Sequence, residues 1–148
     1  MIDERPPQDP EAPGTRVGVQ RLELDQREAD GVEHAILAAP SLDDVAEALG
    51  SLDQDRHTEL TLVDGGGAYL TVGGGRGRYH VYVGAYDHDD CVILQSPDAG
   101  DGHEDLVVDG RLTRYAAHDV VDLDIAAEAV LEFFRSARPH PDLTWRSG

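Results

Sequence analysis

Residues 60–83 have the sequence LTLVDGGGAYLTVGGGRGRYHVYV, and this stretch decides the fold class. Apolar and polar residues alternate within it around two glycine-rich breaks, at residues 65–67 and 73–77. Alternation with a period of two is typical of strands with one buried face, and glycine clusters mark the turns between strands. Connections this short join antiparallel neighbours, so the middle of the chain is predicted to be an antiparallel meander.

The same strand pattern continues on both sides of this stretch. Upstream, residues 17–24 and 32–37 are predicted strands joined by a polar loop. Downstream, strands are predicted at 91–95, 106–108 and 112–116, and the last two flank Asp109-Gly110, a typical type I′ hairpin turn.

Two helices interrupt the strands. Ser41 is a predicted N-cap, followed by apolar residues at helical spacing from Leu42 to about residue 52. A second apolar stripe follows Asp122 and Asp124, either of which is a suitable cap, and Pro139 ends that helix. The predicted class is therefore α+β, a mostly antiparallel meandering sheet with two helices packed on it.

Length and composition indicate one domain. The chain has 148 residues, and four of its eight prolines lie in residues 1–14, which are predicted to be a flexible tail before a single domain at 15–148. A single cysteine excludes an internal disulfide. No signal peptide and no apolar run of about 20 residues is recognisable, so a cytoplasmic protein without membrane contact is expected.

The chain is strongly acidic, with 30 Asp and Glu against 12 basic residues and a formal charge of −18. This excess argues against direct nucleic-acid binding, which needs clustered cations. Two interpretations remain open, a surface that maintains solubility and an acidic face that meets a basic partner. A simple meander would place residues 65–67, 87–90 and Asp109 at one end of the sheet. Arg76 and Arg78 would lie at the other end, with residues 98–104.

No motif in the sequence indicates catalysis. The 73–77 glycines lack the spacing of a phosphate-binding loop, and residues 98–102 lack the side-chain ligands of a calcium loop. Nothing marks a base for Cys91, and the seven histidines have no metal-ligand spacing. We therefore expect no enzymatic activity, no cofactor and no metal.

One strand face is rich in aromatic and polar side chains. Alternation places Arg78, His80, Tyr82 and Tyr86 on one side of their strand, and Tyr69 and Thr71 form a similar pair on the neighbouring strand. Because Tyr and Arg are enriched in interface cores, this face is a candidate partner surface. The alternative is that a helix covers it and its hydroxyls are bonded internally.

The region from Thr58 to Trp145 resembles the Imm1 family, the immunity proteins of bacterial polymorphic toxin systems. The resemblance rests on residues 60–83, the Asp109-Gly110 hairpin, the second helix and the terminal residues 143–145. It implies a non-enzymatic inhibitor that blocks the active site of a co-encoded toxin, often a nucleic-acid deaminase or nuclease. Residues that match the family pattern and are expected to have structural roles are Gly73, Gly74, Gly75, Gly77, Tyr79 and Trp145.

Together these observations predict a monomer that forms a heterodimer with a toxin whose active-site face is basic. The residues predicted to contact the toxin are Asp64, Asp87, Asp89, Asp90, Asp109, Tyr82 and Tyr86. A regulatory protein-binding module is the alternative, and a small enzyme is a weaker one. A general DNA mimic fits poorly, because the carboxylates cluster in loops instead of following one surface.

Overall fold

The structure is a computed structural model that describes residues 18–148, so the predicted tail at 1–14 lies outside the described residues. The elements, in chain order, are β1 (Val19–Glu28), β2 (Gly31–Ala38), α1 (Leu42–Ser51), β3 (Glu59–Asp64), β4 (Ala68–Gly75), β5 (Arg78–Ala85), β6 (Cys91–Leu94), β7 (His103–Val108), β8 (Arg111–Ala116), a 3₁₀ turn (Ala117–Asp119), α2 (Leu123–Ser136) and β9 (Trp145–Ser147).

Seven strands form one antiparallel sheet in the order β2-β1-β3-β4-β5-β6-β9, which confirms the α+β prediction. The simple meander is confirmed only from β3 to β6. Beyond β6 it is wrong, because β7 and β8 pair with each other outside the main sheet. The edge of β6 is taken instead by β9, where Leu94 pairs with Trp145.

Both helices begin where the sequence predicts. Ser41 and Asp44 form a reciprocal capping box at α1, and the Asp122 carboxylate accepts the Ile125 N–H at the start of α2. The buried stripes of the two helices pack on one face of the sheet, where they share a core with Leu62, Val72 and Val81. Trp145 packs against this core, as predicted, and its indole N–H donates to the His140 carbonyl at 3.0 Å.

Two hairpin turns have the backbone of type I′ turns, with positive φ at both central residues. Asp109 and Gly110 have φ of +50° and +75°, which confirms the predicted turn. Arg76 and Gly77, at +58° and +85°, form the equivalent turn between β4 and β5. This turn places Arg78 beside Glu104, and their bidentate ion pair confirms the predicted proximity of Arg78 to residues 98–104.

The residues of the family pattern lie in tightly packed positions. Gly73 lies under the β7–β8 hairpin, where an added Cβ would come within 2.5 Å of Val108 Cγ1. Gly74 and Gly75 lead into the β4–β5 turn, which Gly77 completes. Tyr79 is buried, and its backbone pairs with Val121 just before α2.

Residues 18–148 contain neither a membrane-spanning helix nor a cluster of metal ligands. No helix in this part of the chain is long and apolar enough to span a bilayer. The same residues contain no group of three or more His, Cys, Asp or Glu side chains arranged to hold a metal ion.

Candidate partner-binding surface

The sheet face opposite the helices, here called the helix-free face, carries the polar and aromatic side chains. Register follows from the ladders: Thr61 pairs with Thr71, Thr71 with Tyr82, and Tyr82 with Ile93, so these four residues form one row across the sheet. In β4 and β5 the intervening residues, such as Leu70, Val72 and Val81, enter the helix-side core. The two helices therefore lie on the other side of the sheet from this row, and within residues 18–148 the aromatic strand face is covered in part by the β7–β8 hairpin and not by a helix.

A tyrosine cluster occupies the middle of the helix-free face. The half-buried Tyr82 meets Tyr69 edge-on at 6.2 Å between ring centroids, and Tyr69 lies 5.0 Å from Tyr86. Tyr86 is 64% exposed and lies at the solvent end of this cluster. Burial raises the pKa of Tyr82 and of Tyr69, so both phenols stay protonated at neutral pH and retain a hydrogen-bond donor.

Gly84 allows the cluster to lie flat on the sheet. An added Cβ at this position would come within 2.6 Å of the Tyr69 hydroxyl, so the ring covers the glycine backbone. The sequence interpretation missed this residue. A glycine inside a strand pattern, as in VYVGAY at 81–86, is the signal that indicates close approach of another group.

The β7–β8 hairpin forms a wall along one side of the helix-free face. Tyr115 of β8 stacks on His80 with 4.1 Å between ring centroids, and Val108 lies on Gly73. His80 is 8% exposed, and its Nδ1 lies 3.0 Å from the Asp119 carbonyl. Burial lowers the pKa of His80, which keeps this ring neutral in the stack. Tyr115 was also missed, because its place on this face depends on the position of the hairpin.

The exposed acids of the β5–β6 turn lie at one end of the helix-free face. Asp87, Asp89 and Asp90 are all exposed and directly follow Tyr86. Asp87 pairs with its neighbour His88, at 3.6 Å between Oδ1 and Nε2. Tyr86 directly precedes this acidic turn, and Tyr69 connects Tyr86 with Tyr82.

Asp64 and Asp109, which the sequence also assigns to this acidic end, differ from the acids of the β5–β6 turn: Asp64 lies at the same end but is buried, and Asp109 lies elsewhere. Asp64 is only 5% exposed, and its Oδ2 accepts the Gly66 N–H at 2.8 Å, so it organises the β3–β4 turn. Asp109 lies at the opposite end of the sheet, because the β7–β8 hairpin leaves the meander. There the Gly110 N–H donates to Thr58 Oγ1, just before the start of β3. The prediction that Asp109 shares an end with the 87–90 turn is therefore wrong.

A second acidic group surrounds Asp109. Asp25 is 1% exposed and accepts hydrogen bonds from the N–H of Thr58 at 2.6 Å and of Glu59 at 2.9 Å. Burial, assisted by Asp109 and Asp25, raises the pKa of Glu59 to about 7. His34 lies beside Asp109, at 3.8 Å between Nε2 and Oδ1. The helix-free face consequently has carboxylates at both ends and tyrosines between them.

Comparison with known proteins gives one result. The family model described as Immunity protein Imm1 matches residues 33–147, which is most of the chain. A comparison with curated proteins finds no match.

Proposed function

The chain belongs to the Imm1 family of immunity proteins, whose members neutralise toxins, and we propose that it blocks a co-encoded deaminase or nuclease. Immunity proteins of this kind generally act by binding and not by catalysis. The proposed contact surface is the helix-free face, together with the acidic turn at residues 87–90. The observation that carries the proposal is the tyrosine cluster, which extends from the half-buried Tyr82 through Tyr69 to the exposed Tyr86, next to exposed carboxylates.

The chemistry of the target explains this arrangement. An enzyme that acts on DNA or RNA presents cations around its active site in order to hold phosphates. Asp87, Asp89 and Asp90 compete for those cations, and their charge accelerates encounter with a basic surface. Tyrosine anchors supply rigid, amphipathic contact area that stays desolvated in the complex. The acids therefore raise the association rate, and the tyrosines lengthen the lifetime of the complex.

The experiment compares variants in binding kinetics with the inactivated toxin domain encoded by the adjacent gene. Asp87/Asp89/Asp90→Asn should slow association roughly tenfold at low salt, with the difference shrinking at high salt as screening grows. Tyr86→Ala should speed dissociation roughly tenfold, because an exposed anchor is lost without disturbing the core.

Matched controls lie on the helix side of the molecule. The triple variant Asp124/Glu128/Asp142→Asn/Gln/Asn removes three exposed acids from and beyond α2, and it should leave the association rate unchanged. Leu123→Ala removes an exposed apolar side chain from the first turn of α2, and it should leave the dissociation rate unchanged. Equal effects of the two triple variants would show that only net charge matters and would refute the assigned surface.

A further inference from the structure

Among residues 18–148, the edge of β2 is the longest edge of the sheet that has no paired strand. β2 has eight residues, all exposed, and its pairing with β1 runs without a bulge from Ala38 to Gly31. The opposite edge, β9, has only three residues. Proteins normally protect sheet edges with proline, lysine, bulges or very short strands, and β2 has none of these.

The hydrogen-bond pattern shows which backbone groups of β2 are open. The Ala39 N–H donates to the Gln20 carbonyl at 2.8 Å, so residue 39 faces β1. The Arg27 N–H points to the other side of β1, where it donates to the Arg56 carbonyl. The backbone groups of the even-numbered residues of β1 must therefore point towards β2. Both bonds give the same result: the backbone groups of odd-numbered residues of β2 bond to β1, and those of even-numbered residues point outward. The backbone N–H and C=O groups that point outward therefore belong to Val32, His34, Ile36 and Ala38.

An apolar groove runs beside this edge on the helix side of the sheet. It has a volume of about 470 Å³, and its floor includes Leu22, Leu24 and Leu37. Asp44 and Glu47 of α1 form its rim. A strand added to β2 would direct alternate side chains into this groove. In strand addition of this kind, backbone hydrogen bonds supply affinity and pockets for alternate side chains supply specificity.

The charges around the edge distinguish between possible occupants. Glu33 on β2 and Glu47 on the rim are exposed and form no ion pair within residues 18–148. A second copy of this chain, with a formal charge of −18, would bring like charges together at this edge. Long cationic side chains fit instead, because their apolar stems cover the groove while their charged ends reach the rim carboxylates.

On the basis of the proposed function, we propose that β2 takes an added strand from the toxin. The occupant is an extended segment with Arg or Lys at alternate positions, hydrogen-bonded to the open edge and seated in the groove beside α1. The edge of β2 is a second contact region. It binds through backbone hydrogen bonds, whereas the tyrosine cluster binds through side chains.

The test uses proline as a probe of the open backbone. Ile36→Pro removes one outward N–H and adds a ring on the open side, while the bonds to β1 remain. Ile36→Val is the matched control, since it keeps the N–H and the strand preference. We expect Ile36→Pro to weaken binding of the inactivated adjacent-gene toxin domain about tenfold or more, and Ile36→Val to change it less than about threefold.

A second measurement covers the possibility that the proline variant folds poorly. Amide hydrogen exchange of the wild-type protein, resolved by residue, should slow at residues 34 and 36 when the toxin is added. Unchanged exchange, or a folded Ile36→Pro variant of normal affinity, would overturn strand addition while the proposed function stands. Wild-type protein that binds no toxin would overturn both. A free protein that sediments as a dimer and becomes monomeric on Ile36→Pro would identify a second copy as the occupant and overturn the proposal.

Discussion

Glu59 should make the stability of the free protein fall as the pH rises through neutrality. Its carboxyl is half-buried near Asp25 and Asp109, and its pKa is raised from 4.5 to about 7. Since the folded state holds the proton more tightly than the unfolded chain, the stabilisation is complete below about pH 4.5. It is lost as the pH rises through about 7.

The size of this effect follows from the two pKa values. A pKa raised from 4.5 to about 7 lowers the free energy of unfolding by roughly 3 kcal/mol at pH values above both pKa values. Because Glu59 keeps partial contact with water, screening reduces this to about 1–2 kcal/mol. Glu59→Gln removes the ionisation and keeps the shape, so we expect it to stabilise the protein by about 1–2 kcal/mol at pH 8 and by almost nothing at pH 5.

The assay is urea unfolding of wild type and Glu59→Gln at several pH values from 4.5 to 8.5. The difference between the two proteins reports on Glu59, since every other ionisable side chain is present in both. Glu33→Gln on β2 is the control, an exposed carboxylate whose replacement should change the free energy of unfolding by less than about 0.5 kcal/mol. A Glu59→Gln difference that stays constant across the pH range would refute the reasoning.

Two further predictions concern the C-terminal strand. Trp145→Ala should reduce the free energy of unfolding by about 2–3 kcal/mol, less than for a fully buried Trp because Trp145 is half-exposed, while Trp145→Phe should lose about 1 kcal/mol with the bond to His140. Thermal melting checks this, and an alanine variant that melts like wild type would place the indole outside the core. Arg146 pairs with the buried Asp119 at 2.6 Å and holds the pKa of Asp119 far below its usual range, so its contribution is present above about pH 4 and is lost in acid. Arg146→Ala should therefore destabilise the protein by about 2 kcal/mol at pH 7 and by less near pH 2.5, and an equal loss at both pH values would contradict the ion-pair argument.

The predicted contact residues divide according to how local their positions are. Asp87, Asp89, Asp90 and Tyr86 lie in or beside one tight turn after a well-patterned strand, so the sequence predicts them together and the structure brings them together. Asp64 is the last residue of β3, and alternation reveals neither its burial nor its bond to Gly66. Asp109 lies at the other end of the sheet from the predicted one, because its position depends on which sheet the β7–β8 hairpin joins.

Local chemistry was sufficient for the secondary structure. Periods of two and 3.6, the Ser41 and Asp122 caps and the Asp109-Gly110 turn act over a few neighbouring residues. The sequence alone therefore predicts the strands other than β9, both helices and the α+β class. The overall charge and the absence of catalytic spacing also come directly from the sequence.

Only the tertiary structure decided the rest, because it depends on contacts between residues far apart in the chain. Pairing of Leu94 with Trp145 across some fifty residues closes the edge of β6 and leaves β7–β8 to pack on the sheet. Stacking of Tyr115 on His80 follows from that arrangement, and the bonds of Asp25 to residues 58 and 59 follow from the pairing of β1 with β3. Nothing in local alternation says which face the helices cover or which edge stays open, since both depend on the global burial of apolar surface.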